Sequence, residues 1–167
     1  MKPIDNLHDL FVELLIARYD AETQQTETFP TLIGKATSTK LKQVLKISFE
    51  HSQSHLKQLE YISRLLHFDI VGEISESAYG IFHETWQLIN RCTKPEVTDA
   101  VITTAVQMIH HNDIAGYGTL AAFARTLELD DIARAVHDIL VEEKVNDELL
   151  TEVAKHGINR RASEKSL

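Results

Sequence analysis

The sequence predicts an all-α fold, an antiparallel four-helix bundle with one additional short helix. Six glycines and three prolines are spread over 167 residues, so the residues that interrupt helices are scarce. Apolar residues recur at helical spacing along most of the chain. No stretch of alternating β-branched residues bounded by turns is present, so no strand is required. We expect one domain over residues 1–157, followed by a tail at 158–167.

Capping residues and helix breakers place the helices in order. We predict them at about residues 5–28, 38–67, 75–92, 97–128 and 130–155. The residues expected to open them are, in the same order, Asp5 or Asn6, Ser38 or Thr39, Ser75 or Ser77, Pro95 and Asp130. Pro30 should end the first helix, because the residue before a proline disfavours the helical conformation. Gly157 should end the fifth, since glycine readily adopts the conformation that follows a helix.

Each long helix has one apolar face. With about 100° between successive residues, one face of the first helix carries Leu7, Leu10, Phe11, Leu14 and Leu15. The corresponding face of the fifth helix carries Ile132, Val136, Ile139, Leu140, Leu150 and Ala154. The apolar face of the fourth helix is taken to be marked by Val97, Val101, Met108 and Ala115. Long amphipathic helices with short connections pack side by side, which is the geometry of a bundle.

The charge and the composition exclude several classes of partner. A net charge of −8 repels phosphate backbones and anionic membranes, so nucleic acid is not an expected partner. No apolar run approaches the roughly 20 residues that span a bilayer, and the first residues lack the layout of a signal peptide. Cys92 is the single cysteine and cannot form an internal disulfide, which suits a reducing compartment. We therefore expect a cytoplasmic protein without a membrane partner.

Two glutamates fall on apolar faces. Glu143 lies seven residues after Val136 and seven before Leu150, and Glu22 lies seven residues after Leu15. A charge in such a position requires a partner, because burying it alone is costly. Two interpretations are open: these acids bind a metal ion, or they form structural ion pairs. For Glu143 the basic residues considered as partners are Arg18, Arg125 and Arg134.

Histidines accompany these acids on other helices. His51 and His55 are spaced i, i+4 along the edge of the second helix's apolar face. On the fourth helix, His111 lies near the border of the assumed apolar face, while His110 and Asp113 point further round. Carboxylates and imidazoles that converge from several helices are what a di-iron or di-manganese centre requires. No Glu-x-x-His pair is in register with them, so hydrogen-bonded histidines at the edge of the core are the alternative.

The segment HNDIAGYGTLAAFARTL at residues 111–127 resembles the YciE/YciF family of ferritin-like stress proteins, and the likeness extends over nearly the whole chain. Further similar stretches are LHDLFVELLIARYDAE at residues 7–22, SFEHSQSHLKQLE at 48–60 and LVEEKVNDELLTEVA at 140–154. The resemblance implies a ferritin-like bundle that is cytoplasmic, often dimeric and associated with bacterial stress responses. It also implies a di-metal centre and no established reaction.

The same resemblance identifies candidate site residues and departures from the family pattern. Matching family acids are Glu22, Glu84, Glu142 and Glu143, and His111 matches a family histidine. The family usually has histidine at Ser48, glutamate at His51, glutamine at His55, and glutamate at both His110 and Asp113. The resemblance therefore implies an altered site, which either favours a single softer ion such as Zn²⁺ or has been lost.

Two functions follow from this reading. In the first, the chain is a ferritin-like metal-binding protein that reacts with oxygen or peroxide or sequesters metal. Its candidate ligands are Glu22, His51, His55, Glu84, His110, His111, Asp113 and Glu143, and its ion is iron, manganese or zinc. In the second, the site has decayed and holds no metal, and the chain is a non-enzymatic dimeric module acting through protein–protein interaction. We expect a homodimer in both cases, because the short third helix offers three aromatic side chains, Tyr79, Phe82 and Trp86.

Overall fold

The computed structural model describes residues 3–71 and 74–163, and every regular element in them is helical. The helices are α1 (Leu7–Lys35), α2 (Thr39–Leu66), α3 (Glu76–Ile89), α4 (Pro95–Thr126) and α5 (Asp130–Val153). A π-helical turn at Ala154–Ile158 leads from α5 into the short helix α6 (Asn159–Ser163). The prediction of an all-α bundle with an additional short helix is confirmed.

The four long helices pack around a common axis, each against two neighbours. The contacting pairs are α1 with α2, α2 with α5, α5 with α4, and α4 with α1. Neighbouring helices run antiparallel. For α1 and α4 this is shown by two hydrogen bonds: Arg18 bonds Asp113, whereas Thr37, further along the chain from Arg18, bonds Asp99, which precedes Asp113. The short helix α3 packs outside this square, against α1 and α4.

Most helix starts agree with the capping residues read from the sequence. Asn6 caps α1 by accepting a hydrogen bond from the Asp9 amide at 2.9 Å, and Ser38 caps α2 through the Leu41 amide. Pro95 is the first residue of α4, where its missing N–H costs no helical bond. Asp130 is the first residue of α5 and not its side-chain cap. Its negative charge there interacts favourably with the positive end of the helix dipole.

Two predicted helix ends are wrong. The first helix runs through Pro30 to Lys35, because Phe29 and Leu32 lie fully buried in the core on either side of the proline. Their burial outweighs the roughly 3 kcal/mol that an interior proline costs. Gly157 does not end the helical structure either, because it lies within the π-helical turn. Ile158, the first residue of the predicted tail, is buried at the end of that turn. Residues 164–167 of that tail lie outside the described residues.

The apolar core is divided into two parts along the bundle. One cluster, near the α1–α2 connection, contains Phe29, Leu32 and Leu150, and the other, near the α4–α5 connection, contains Phe11 and Leu15. Between them lies a set of buried polar side chains, which we call the polar layer: Arg18, Glu22, Gln25, Ser48, Ser52, His55, His110, Asp113, Glu143 and Asn146. The core thus encloses the candidate site at mid-height of the bundle.

The outer faces carry some apolar side chains as well. Val141, Val145 and Leu149 follow one another at four-residue spacing on the exposed face of α5, and Met108 is exposed on the adjacent α4. None of the helices between residues 3 and 163, with 72 and 73 left aside, has the length and hydropathy to cross a membrane. Of the three aromatic residues from which we predicted a dimer, Tyr79 is exposed, whereas Phe82 and Trp86 pack against the core.

Candidate metal centre

Glu22, His55 and Glu143 bring three ligand atoms together in the polar layer, from α1, α2 and α5. One atom of each lies within 4.8 Å of the other two, and all three side chains are buried. The Nδ1 atom of His55 lies 3.0 Å from Oε1 of Glu22 and 3.5 Å from Oε1 of Glu143. The two glutamates placed in the core by their spacing in the sequence are therefore buried as predicted, and they face the same imidazole.

His55 also connects this cluster to the surface. Its Nε2 atom lies 2.8 Å from Oε2 of Glu142, whose side chain is 40% exposed. Both ring nitrogens thus lie beside carboxylates, and both can donate hydrogen bonds only when the ring is protonated. His55 therefore links the buried acids to a partly exposed carboxylate at the edge of the bundle.

His110 extends the cluster on α4. Its Nδ1 atom lies 2.5 Å from Oε2 of Glu143, and its Nε2 atom lies 3.1 Å from Oγ of Ser48. The predicted orientations of the two adjacent histidines are therefore wrong: His110 is buried, while the His111 side chain is 67% exposed and pairs with Asp147 at 3.4 Å. The error follows from Met108, which was taken to mark the apolar face of α4 but is exposed.

Asp113 forms a separate contact within the polar layer. Its Oδ1 accepts a hydrogen bond from Nη1 of Arg18 at 2.7 Å, and its Oδ2 accepts one from Nε2 of Gln25 at 2.8 Å. The Arg18 side chain lies against Gly116, where an added Cβ atom would come within 2.9 Å of the Arg18 Cδ atom. Asp113 is buried, contrary to the predicted orientation on α4, but both its oxygens are taken by protein donors.

Opposite charges shift the pKa values of Glu22 and His55 in opposite directions. Burial alone would raise the pKa of Glu22, but the hydrogen bond and charge of His55, together with the Tyr117 hydroxyl, lower it below its usual value. Burial alone would lower the pKa of His55, but the bond and charge of Glu22, with contributions from Glu143 and Glu142, raise that pKa to about 9. Without a metal, the pair is therefore a carboxylate and an imidazolium at neutral pH.

Two further groups stay protonated more readily than usual. Burial, followed by the negative charges of Glu22 and Glu143, raises the pKa of Asp113 well above its usual range, against the opposing effect of Arg18. Burial and the charges of Glu22 and Asp113 raise the pKa of Tyr117 as well. The Tyr117 hydroxyl is consequently a neutral donor, and it donates to Oε1 of Glu22 at 2.7 Å.

The donor atoms of the cluster fit one divalent ion. Oε1 of Glu22 accepts two hydrogen bonds, whereas its Oε2 is buried without any hydrogen-bond partner. A buried acceptor of this kind is costly unless something binds it. Two carboxylates and one imidazole offer a first-row transition ion two anionic oxygens and a nitrogen. His110 and Glu142 lie next to these ligands and orient them.

Three of the predicted candidates lie outside the polar layer. Glu84 is exposed on α3, and His111 is exposed on α4, and neither belongs to the group of converging ligand atoms. His51 is half-buried, and its Nδ1 lies 3.1 Å from Oδ1 of Asn146. Spacing along a single helix places a residue on a face, but which face turns inward is decided by the neighbouring helices.

Sequence reasoning missed the partners that complete the polar layer. Tyr117 and Gln25 are buried and bond the acids from α4 and α1. Arg18 was considered as an ion-pair partner of Glu143, but it bonds Asp113, whereas Glu143 lies beside His55 and His110. A signal was present for Gln25, which lies three residues after Glu22 and so on the same side of α1. The Arg18–Asp113 pair joins residues 95 positions apart, and no local pattern identifies it.

Comparison with known proteins is consistent with this architecture. Over residues 6–163 the chain matches the family model described as a domain of unknown function, DUF892. Protein YciF of Escherichia coli strain K12 is 30% identical to it over 164 residues, which is 96% of this chain and 97% of the relative.

Two solved structures have the same fold over most of their length. YcfI from Rhodopseudomonas palustris is 32% identical, with a TM-score of 0.88, and the alignment covers 92% of this chain and 98% of YcfI. The E. coli stress protein YciF is 28% identical in its crystal structure, also with a TM-score of 0.88, covering 94% of this chain and 99% of that one.

Proposed function

This chain belongs to the DUF892 family of YciF-like proteins, and we propose that it is a stress-response protein whose Glu22–His55–Glu143 cluster binds one divalent metal ion. The observation that carries this proposal is Oε2 of Glu22, a buried carboxylate oxygen without a hydrogen-bond partner, on a side chain that converges with His55 and Glu143. Iron or manganese would supply reactivity towards oxygen or peroxide, whereas zinc would supply none, and the protein would then sequester the ion.

Different residues of the polar layer bind the ion and orient its ligands. Glu22 and Glu143 supply negative charge, and His55 supplies a nitrogen once it has released its proton. Tyr117 fixes the orientation of Glu22 by donating to one oxygen, which leaves the other directed away from that bond. His110 holds Glu143 in the same way. Both apolar clusters exclude water from the layer, which strengthens electrostatic interactions inside it.

Removing one ligand tests this proposal directly. Metal-stripped protein should bind one equivalent of Zn²⁺ or Mn²⁺ by isothermal titration calorimetry, and bound ion should raise the melting temperature. Glu22→Gln preserves the shape but removes the charge, so affinity should fall by more than about 100-fold.

Glu84→Gln is the matched control, because Glu84 is an exposed acid outside the cluster. Its affinity should equal that of the wild type. Equal affinity in Glu22→Gln and the wild type, or no binding by the wild type, would contradict the proposal.

The alternative function, a metal-free dimeric module, is favoured by one observation. Both nitrogens of His55 already lie within hydrogen-bond distance of carboxylates, so the network is largely satisfied by the protein alone. A wild-type protein that takes up no ion under the conditions above and is dimeric would support this second function.

A further inference from the structure

Arg18 occupies an unusual position beside the proposed metal site. Among the described residues it is the only lysine or arginine whose side chain is buried, with 7% of the residue exposed. Its Nη1 atom lies 2.7 Å from Asp113 Oδ1 and 3.4 Å from the carbonyl oxygen of Asn112. Burying a guanidinium costs several kcal/mol unless it is paired, and the pairing found here is with an acid of the polar layer.

The backbone of α4 is shaped to admit this side chain. At Gly116 a Cβ atom would lie 2.9 Å from Cδ, 3.1 Å from Nε and 3.2 Å from Nη1 of Arg18. The contact with Cδ is shorter than real Cβ atoms make, and the contacts with Nε and Nη1 are tighter than most of them, so with any larger residue here the Arg18 side chain would have to shift. The glycine therefore allows the guanidinium to approach Asp113 across the surface of α4.

Counting charges indicates what the guanidinium does. The polar layer contains three buried carboxylates, those of Glu22, Asp113 and Glu143. Arg18 opposes the rise in pKa that burial and the neighbouring acids cause at Asp113, and with Asp113 ionised beside it the layer carries three negative charges. The guanidinium contributes one positive charge and a single divalent ion contributes two, so together they neutralise the three acids. A second divalent ion would leave an excess of two positive charges in a buried layer, which is strongly unfavourable.

We propose that Arg18 is a built-in cation that takes the place of a second metal ion at Asp113, and so limits this bundle to one ion. The inference rests on the proposed function, because it assigns the cation that stands beside the Glu22–His55–Glu143 site. Without the guanidinium, Oδ1 of Asp113 is a buried carboxylate oxygen of the kind that divalent cations bind. Arg18 is thus the residue that determines how many ions the protein holds.

The test counts Co²⁺ ions per chain by native mass spectrometry in the wild type and in three variants. Arg18→Gln keeps a hydrogen-bond donor but removes the charge, and it should hold one ion more than the wild type. Arg18→Lys keeps the charge and should hold the wild-type number. Adding Asp113→Asn to Arg18→Gln should abolish the additional ion, which assigns it to Asp113.

The difference between proteins tests the role of Arg18, and the wild-type number tests the proposed function. A wild type that holds no ion refutes the single-ion function, but an additional ion in Arg18→Gln would still support the role of Arg18. Equal numbers of ions in the wild type and Arg18→Gln overturn the role of Arg18, as does an additional ion in Arg18→Lys.

If Arg18→Gln does not fold in chelator, its helical content is followed by circular dichroism while Co²⁺ is added. Recovery of helix together with the additional ion supports the proposal, and no recovery overturns it.

Discussion

The two oxygens of the Glu22 carboxylate have different surroundings, although the side chain is fully buried. Oε1 accepts hydrogen bonds from Tyr117 and His55, while Oε2 accepts none. His55 is linked in turn to Glu142 at the surface. Protonation of a single imidazole therefore affects the charge balance of the buried acids, and its effect on folding can be measured.

The pairing of His55 with carboxylates should make stability depend on alkaline pH in the metal-free protein. The pKa of His55 rises from 6.5 to about 9 on folding, so its contribution is fully present below pH 6.5 and is lost as pH increases through 9. Glu22 has a lowered pKa, so its contribution is lost only when acid protonates it. With chelator present, we expect the free energy of unfolding to fall by about 1 to 3 kcal/mol between pH 6.5 and 9.

Urea unfolding at several pH values measures this loss. His55→Gln should reduce or remove the alkaline decrease, while His137→Gln, a change of an exposed histidine on α5, should keep the wild-type profile. The same decrease in wild type and His55→Gln would show that His55 is not the group responsible.

How far the site could be predicted differs from residue to residue. Glu22 and Glu143 were identified because their seven-residue spacing to apolar neighbours defines the face without reference to other helices. The orientations of His110 and His111 were predicted the wrong way round, because α4 has apolar residues on several sides, including the exposed Met108. The Arg18–Asp113 bond depends on how α1 and α4 pack, and a single sequence contains no signal for it.

At the scale of helices, starts were predicted better than ends. Starts depend on local chemistry, in which Asn6 or Ser38 accepts a bond from an amide a few residues on. Ends depend on whether the following residues can be buried. Pro30 and Gly157 both weaken a helix locally, but Leu32 and Ile158 lie in the core beyond them, and packing decides the outcome.

The continuation of α1 through Pro30 leads to a prediction about stability. Proline has no N–H to donate to the carbonyl of Thr26, and its ring crowds that turn. Pro30 is exposed, so Pro30→Ala adds a backbone hydrogen bond without changing the core. We expect the variant to be more stable by about 1 to 2 kcal/mol in thermal or urea unfolding, after allowance for the greater flexibility of the unfolded chain.

Pro95→Ala is the matched control, because Pro95 is the first residue of α4 and interrupts no helical bond. Its stability should stay within about 0.5 kcal/mol of the wild type. A Pro30→Ala variant that is less stable than the wild type would mean that α1 does not continue as a regular helix through this position.

At the scale of the whole molecule, we still expect a homodimer, but through a surface other than α3. Val141, Val145 and Leu149 form an exposed apolar row on α5, and Val145 is 46% exposed. Such a row is typical of a surface that is covered by a second protein. Two identical chains could cover it symmetrically.

Placing a charge in this row should separate the subunits. Val145→Glu should sediment as an 18.9 kDa monomer at concentrations where the wild type sediments at twice that mass, because the charge would be buried without a partner. Leu88→Glu, on the exposed side of α3, should leave the dimer intact. A wild type that is monomeric at micromolar concentration would exclude the dimer.

The division of the polar layer among the helices has a consequence for how the chain assembles. α1 and α2 form one helical hairpin and α4 and α5 another, and the layer is completed only when the two meet: Glu22 and His55 come from the first, His110 and Glu143 from the second. If one hairpin slid along the other by a helical turn, acids would be buried opposite leucines, whereas two purely apolar faces would tolerate the shift. We therefore expect the layer to select a single docking register, so that replacing it by apolar residues would give several conformers, visible as multiple sets of amide resonances.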